Sequence, residues 1–250
     1  MKKIFLSTIA TFCAFTWLSA QNTSAGSSSS DGSSPKSFIG INSGYAMAFG
    51  ALTKNDYKDP GSGYASKGGL NYGLEGNFIL HKNFGIAAVF SCNSFFTAGL
   101  QTMADGYKDD FDVDSTTVTT TKKYSFYNFF AGPSYSIACN KLTFDFRFVA
   151  GLTHGTTPEF KVDLEDQTNA TFYQKSSKAN SFGFQAGAGV RYLLFSNVCL
   201  KLNADYYSCK PDFMITNENR ANNAGRLLTE YHEPISVLSL NAGVSYQFGK

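Results

Sequence analysis

The chain has 250 residues with 21 basic and 19 acidic side chains, and this near balance excludes the strongly basic surface that nucleic-acid binding requires. Aromatic residues make up 16% of the chain, with 23 Gly and only 6 Pro, which is typical of a β-rich protein. After residue 20 no apolar run is long enough for a membrane helix, so a membrane protein built from this chain would have to cross with strands.

The first 20 residues have the three parts of a secretory signal peptide. Two lysines precede an apolar run at 4–18, and Ser19-Ala20 supplies the small residues expected before a cleavage point. We therefore predict a signal peptide at 1–20. Residues 21–37 are rich in Ser and Gly and too poor in apolar groups to pack, which predicts a flexible tail. One domain is expected to follow, at 38–250.

Within this domain, eight segments alternate apolar and polar residues with a period of two, the pattern of a strand whose two faces meet different surroundings. They are 38–51, 69–81, 84–97, 123–139, 141–153, 181–195, 197–210 and 235–249. Three connections are very short, at Lys82-Asn83, Asn140 and Ser196, which predicts tight hairpins. The other four connections are long and polar, and we expect them to be solvated surface loops at one end of the strands. They are 52–68, 98–122, 154–180 and 211–234.

The fifth segment shows the two faces most clearly. In KLTFDFRFVAGLT, residues 141–153, one face carries Phe144, Phe146 and Phe148, and the other carries Asp145 and Arg147. In a soluble barrel the phenylalanines would line the interior, and in a membrane barrel they would face lipid. The alternation alone does not choose between these arrangements.

The polar faces favour the membrane arrangement, because they are rich in small uncharged residues that suit a narrow lumen better than a solvated surface. Six charged residues lie mid-strand on these faces, three acidic and three basic: Glu75, Asp145, Arg147, Arg191, Lys201 and Asp205. Buried charges are tolerated when they are paired and hydrogen-bonded. We therefore predict that these six side chains form a charge network inside a closed barrel.

On the opposite, apolar faces, an aromatic residue recurs four or five positions before a short turn or the C-terminus. The four residues are Phe78, Tyr135, Tyr192 and Tyr246, and the three tyrosines share the pattern Gly-x-x-Tyr. Their equivalent positions predict four rings at one height around the barrel. Such a band is typical of the aromatic girdle at a membrane interface.

With these features the sequence resembles the small eight-stranded outer-membrane β-barrel proteins of the OmpA/OmpX type over residues 38–250, including the last strand SLNAGVSYQF. Those families usually end on an aromatic residue, whereas here Phe248 is followed by two further residues. The resemblance implies an all-β fold, an eight-stranded antiparallel up-and-down transmembrane β-barrel of the bacterial outer membrane, with termini and short turns in the periplasm. It implies outer-membrane lipid, the barrel-assembly machinery during insertion and an unidentified extracellular partner of the loops as partners.

Four cysteines follow the predicted signal peptide. Cys92 and Cys139 are expected on the apolar faces of different strands, while Cys199 and Cys209 share one strand and lie about ten residues apart. Ten residues of strand span roughly 33 Å, far beyond the reach of a disulfide. We therefore expect free thiols, and no cysteine pair has the spacing of a metal site.

For function, the sequence favours a non-enzymatic barrel with a lumen plugged by side chains and four long surface loops, in a structural or surface-interaction role. No catalytic, cofactor-binding or metal-binding residues are predicted. Three alternatives stay open: a lipid hydrolase or protease using His154 or His232 at the rim, a narrow channel for small solutes, and a soluble ligand-binding barrel with its faces reversed.

Overall fold

The computed structural model describes residues 34–165, 170–219 and 227–249. The predicted signal peptide and most of the predicted tail lie outside the described residues. The described chain forms thirteen strands, one α-helix and one short 3-10 helix. The strands are β1 Ser37–Phe49, β2 Ala65–His81, β3 Phe84–Thr97, β4 Ser115–Thr120, β5 Tyr124–Cys139, β6 Leu142–Thr156, β7 Phe160–Glu165, β8 Thr171–Gln174, β9 Lys178–Phe195, β10 Val198–Cys209, β11 Asp212–Asn219, β12 Leu227–His232 and β13 Ile235–Phe248. The α-helix, α1, is Leu100–Phe111, and the 3-10 helix is Gly50–Thr53.

Eight of these strands close into a barrel in the order β1-β13-β10-β9-β6-β5-β3-β2. Every neighbouring pair is antiparallel, and β1 closes the ring by pairing with β13 from Ser37 opposite Phe248 to Phe49 opposite Ser236. The predicted all-β, eight-stranded antiparallel up-and-down barrel is confirmed. The strands extend beyond the predicted bounds at the loop end, since β2 begins at Ala65 and β6 ends at Thr156.

The three predicted hairpins are two-residue connections, at 82–83, 140–141 and 196–197. The first residue of each has a positive φ: 50° at Lys82, 54° at Asn140 and 43° at Ser196. Two-residue hairpins require this left-handed conformation because it matches the twist of the flanking strands. These turns define what we call the turn end of the barrel, and the opposite end is the loop end.

The two faces of the barrel strands meet opposite surroundings. On β6, Phe144, Phe146 and Phe148 are 40%, 37% and 55% exposed on the outside, whereas Asp145 is 7% exposed inside. Leaving a large apolar side chain in water costs about 1.5–3 kcal/mol, so a whole apolar exterior requires lipid. An apolar exterior around a polar interior is the pattern of an outer-membrane barrel. The predicted outer-membrane β-barrel is thus confirmed, and the soluble arrangement, with the Phe face inside, is excluded.

No helix in the described ranges is both long and apolar enough to span a membrane.

The prediction that the long connections are solvated loops is wrong for three of the four, since only 52–68 remains mostly loop and turn. Three of them contribute strands to a second antiparallel sheet at the loop end, in the order β12-β11-β8-β7-β4, with α1 packed against β4. We call this sheet together with α1 the cap. Its inner residues alternate along the chain, as at Phe160, Val162 and Leu164, which are each 3% exposed. Burial of these side chains stabilises the folded form of the long connections.

The hydrophobic core lies inside the loop end of the barrel and continues into the cap. It joins inward-facing barrel residues such as Phe126, Val149 and Val237 to Phe213 and Ile215 of the cap. Phe126, Val149, Val237 and Phe213 are fully buried. The lumen therefore carries its charges in the turn half and its apolar core in the loop half, with a layer of buried Asn, Ser and Thr side chains between them.

Candidate functional site

The largest charged cluster of the lumen is organised by the guanidinium of Arg147 on β6. Its Nη2 donates to both carboxylate oxygens of Asp205 at 2.8 Å, and its Nε donates to Oδ1 at 3.1 Å. Its Nη1 donates to Glu75 Oε2. Lys201 Nζ lies 2.8 Å from Glu75 Oε1, which also accepts a hydrogen bond from Asn203 at 3.0 Å. One cluster thus contains two cations and two carboxylates.

The remaining two charges form a second cluster nearer the turns. Arg191 donates to both oxygens of Asp145, from Nε at 2.6 Å and from Nη2 at 3.0 Å, and Ser136 Oγ donates to Oδ1 at 2.7 Å. Phe38 links the clusters, because its ring lies 4.1 Å from Arg191 Cζ and 4.0 Å from Lys201 Nζ. Sequence reasoning missed this ring, although Phe38 begins the inward face of β1 and its apolar nature there was the available signal.

All six sequence-predicted lumen charges are thus inward-facing and brought together as two neutral clusters. Arg191 is completely buried, and Lys201 and Glu75 are 2% and 3% exposed. An unpaired ion in such surroundings costs several kcal/mol, and bidentate guanidinium–carboxylate contacts offset much of that cost. The arrangement places two neutral charge clusters in the turn half of the lumen.

Small residues of the lumen make room for these pairs. A Cβ added at Gly187 would lie 1.9 Å from Asp205 Oδ1 and 3.2 Å from Arg147 Nε. Any larger residue would displace the carboxylate from the guanidinium. The small inward residues seen in the sequence therefore have a specific role, which is to let charged side chains cross a narrow interior.

The four predicted girdle residues lie on the outer face near the turn end. Phe78, Tyr135, Tyr192 and Tyr246 are between 38% and 52% exposed. Two aromatic residues that sequence reasoning missed join them: the rings of Phe84 and Tyr135 are 4.9 Å apart, and those of Phe248 and Phe78 are 5.9 Å apart. Both missed residues directly border a turn or the chain end, which was the available signal.

The two rim histidines have different surroundings, and neither contacts the other. His154 Nδ1 lies 2.7 Å from the side-chain oxygen of Asn180. His232 Nδ1 lies 2.5 Å from Asp212 Oδ1 across the β11–β12 pair, and this hydrogen bond raises the pKa of His232. Asp212, Glu230 and His232 place three potential metal-ligand atoms within 4.8 Å of one another, all on exposed side chains. Sequence reasoning missed this cross-strand cluster because it did not predict the cap sheet.

The four described cysteines carry free thiols, and Cys92, Cys199 and Cys209 are buried. Cys199 and Cys209 face the lumen, as predicted. Cys92 lies on the outward face of β3, but its side chain is buried. Tyr72 on β2 and Tyr127 on β5 lie directly opposite it on the two neighbouring strands.

Comparison with known proteins gives similarities of structure alone. No family model matches the chain, and no curated protein matches it. Among solved structures, a major outer membrane protein from Thermus thermophilus is 10% identical with a TM-score of 0.48, covering 85% of this chain and 99% of that one. The outer membrane protease OmpT from Escherichia coli is 10% identical with a TM-score of 0.46, covering 89% and 100%. Neisserial surface protein A is 14% identical with a TM-score of 0.45, covering 85% and 97%. The fold assignment rests on the strand pairing and the two faces of the barrel.

Proposed function

We propose that this protein is a non-enzymatic, nonconducting outer-membrane anchor that displays the cap for a structural or surface-interaction role. The observation that carries the proposal is the lack of space beside the central ion pair. The lumen cavity lined by Arg147, Asp205, Asn71, Asn93 and Asn241 has a volume of about 10 Å³. One water molecule needs about 10–15 Å³, so a hydrated ion does not fit.

Two further features support a plugged lumen. Toward the turns, the fully buried ring of Phe38 lies between Arg191 and Lys201. Toward the loops, the apolar cluster around Phe126 and Phe130 fills the interior and continues into the cap. An eight-stranded barrel encloses an interior that side chains can fill.

Single-channel recording tests this proposal. The protein is reconstituted in planar bilayers, and parallel vesicles are checked on unheated denaturing gels for the faster-migrating folded form. We expect no conductance steps above the lipid background. Reproducible steps whose size scales with salt concentration would overturn the nonconducting anchor in favour of the channel.

The orientation proposed is the one in which the short turns and both termini face the periplasm and the cap faces outward. Long connections at one end and two-residue turns at the other support it, because outer-membrane barrels have short periplasmic turns and longer outer loops. Lipid contacts the barrel exterior, the barrel-assembly machinery would insert the chain, and the cap would meet an extracellular partner. Protease added to intact cells should cleave the cap; cleavage only after the outer membrane is opened would contradict this orientation.

A rim-sited hydrolase is the second candidate, because His232 and Asp212 form a hydrogen-bonded pair of the kind that activates a nucleophile or a water. The pair is exposed, at 70% and 58% of the side chains, and lies on the solvent face of the cap sheet. Lipid and peptide substrates offered to the protein and to His232→Ala distinguish the two functions. We expect no turnover by either form; hydrolysis that the substitution abolishes would establish the enzyme.

A further inference from the structure

A groove of about 380 Å³ crosses β5, β6 and β9 on the outside of the barrel at the loop end, and we call it the rim groove. Its strand residues alternate with the inward-facing Phe126, Thr153 and Ala179, which are buried. The described residues that line it are Lys122, Lys123, Ser125, Tyr127, His154, Thr156 and Lys178. Three of them are lysines, and none is a carboxylate. The wall of the rim groove therefore suits an anion.

The strand register shows that the rim groove lies directly beside the apolar exterior of the barrel. Three successive rows of outward residues run from the loop end toward the turns: Ser125, Thr156 and Lys178; Tyr127, His154 and Asn180; and Phe129, Leu152 and Phe182. The third row is entirely apolar, and its members are 59%, 63% and 72% exposed. Neighbouring rows are two residues apart, roughly 7 Å along the strands. The outer surface thus changes from apolar to basic within about 14 Å.

The distance from the aromatic girdle places the rim groove at the second membrane interface. On β5, the girdle residue Tyr135 and the groove residue Ser125 are ten residues apart. This separation is roughly 33 Å along the strand, or about 25 Å along the membrane normal at a tilt of about 40°. The apolar band of an outer-membrane barrel is about 25 Å tall, so the rim groove lies at the depth of the lipid head groups. The exposed ring of Tyr127 suits the same depth, because tyrosine combines an apolar ring with a polar hydroxyl.

The protein neutralises only part of the positive charge at the rim groove. Lys122 Nζ lies 3.6 Å from Glu159 Oε2, and because both side chains reach solvent this ion pair is weak. Lys123 Nζ lies 5.9 Å from the centre of the Phe96 ring. Neither Lys123 nor Lys178 forms an ion pair with a described residue. At least two ammonium groups are therefore free to meet an external anion.

We propose that the rim groove binds the phosphate group of a membrane lipid whose acyl chains lie along Phe129, Leu152 and Phe182. Lysine ammonium groups bind phosphate as point charges, and the hydroxyls of Ser125 and Thr156 supply further donors. A soluble anion would contact the lysines alone, whereas a lipid also covers the adjoining apolar row. The inference rests on the proposed orientation only in that an outward-facing cap makes the outer leaflet the source of this lipid.

Calorimetric titration of the full protein in a nonionic detergent tests the site, with dihexanoyl phosphatidate as the probe. The matched probe is dihexanoylglycerol, which has the same acyl chains without the phosphate. A lysine near an anionic lipid surface contributes about fivefold to binding. We therefore expect the phosphatidate to bind at least roughly tenfold more tightly than the uncharged lipid.

A pair of double variants separates the rim groove from general charge effects. Lys123→Gln with Lys178→Gln should weaken phosphatidate binding at least roughly tenfold, because both free ammonium groups are lost. Lys58→Gln with Lys108→Gln removes the same charge from two exposed positions, on the 52–68 connection and on α1. This control should change the affinity less than about twofold.

Equal affinity for the two lipids, or an equal loss of affinity in the two double variants, would overturn the inference. Inorganic phosphate at millimolar concentration should leave the bound phosphatidate in place, and its displacement would overturn the lipid as the occupant in favour of a soluble anion. Failure of this site is distinguishable from failure of the proposed orientation. Binding in detergent does not depend on orientation, whereas protease cleavage on intact cells measures orientation alone.

Discussion

The two halves of the lumen are lined by physically different side chains. The turn half contains six charged side chains in two neutral clusters, whereas the loop half contains apolar side chains continuous with the core of the cap. Ion pairs in a narrow interior depend on every partner being present, because a single deletion leaves a buried charge. Apolar packing loses stability gradually, in proportion to the volume removed. The same barrel should therefore respond very differently to substitutions at its two ends.

The largest effect is expected at the centre of the turn half. Arg147→Met removes the partner of Asp205 and one of the partners of Glu75. Leaving buried carboxylates unpaired should lower the free energy of unfolding by about 3–5 kcal/mol. Urea unfolding in lipid vesicles measures this, with Lys58→Met at an exposed position as control. A loss below about 1 kcal/mol would show that the network is not needed to fill this half.

Replacing Glu233, which lies beside the loop half, should have a smaller effect of opposite sign and stabilise the protein. Burial raises the pKa of this carboxyl from 4.5 to about 7, so the folded state favours the protonated form. Its ionisation costs stability progressively as pH rises from 4.5 through 7. The free energy of unfolding of Glu233→Gln should equal that of the parent at pH 4.5 and should be roughly 2 kcal/mol higher at pH 8.5. Unfolding curves at both pH values, with Glu230→Gln as control, measure the difference; an equal gain at both pH values would contradict the assignment.

Apolar packing in the loop half should show moderate, pH-independent costs. Phe126→Leu shortens a fully buried side chain and should cost about 1–1.5 kcal/mol. Phe129→Leu is the matched control, because Phe129 is on the same strand, points outward and is 59% exposed. We expect it to cost less than about 0.5 kcal/mol in detergent. Equal losses at both positions would indicate that the lumen is no better packed than the exterior.

The smallest effect is expected at the girdle. Tyr246 is 52% exposed and accepts a 3.2 Å hydrogen bond from Asn197 across the turn end. Tyr246→Leu should change stability by less than about 0.5 kcal/mol in detergent and by more in a bilayer, where an interface exists for the hydroxyl. Unfolding in both media tests this, and an equal effect in both would argue against an interfacial position.

The barrel could be predicted from the sequence because the patterns that specify its strands and turns lie within short stretches of the chain. Alternation assigns each residue to a face, and single residues such as Asn140 and Ser196 mark the turns. The same alternation predicted that the six charged side chains point inward. Their exact pairing could not be predicted, since Arg147 and Asp205 are 58 residues apart in sequence and meet over Gly187 of β9, the strand that lies between theirs.

The cap was missed because its strands are short and pair across distant segments. β4, residues STTVTT, has a single strongly apolar residue and looks like a solvated loop, although it pairs with β7. The alternation at 160–165 and the apolar Phe213 and Ile215 were available signals, but each covers fewer than seven residues. The His232–Asp212 pair depends on the cap, so it could not be predicted before the cap.

We propose that paired charges hold the turn half of the lumen closed. A double-mutant cycle on Arg147→Met and Asp205→Leu, measured by urea unfolding in lipid vesicles, tests it most directly. We predict a coupling energy of at least about 1.5 kcal/mol, with the double variant more stable than the sum of the single losses implies. Additivity within about 0.5 kcal/mol would contradict this proposal, because the side chains would then act independently of one another.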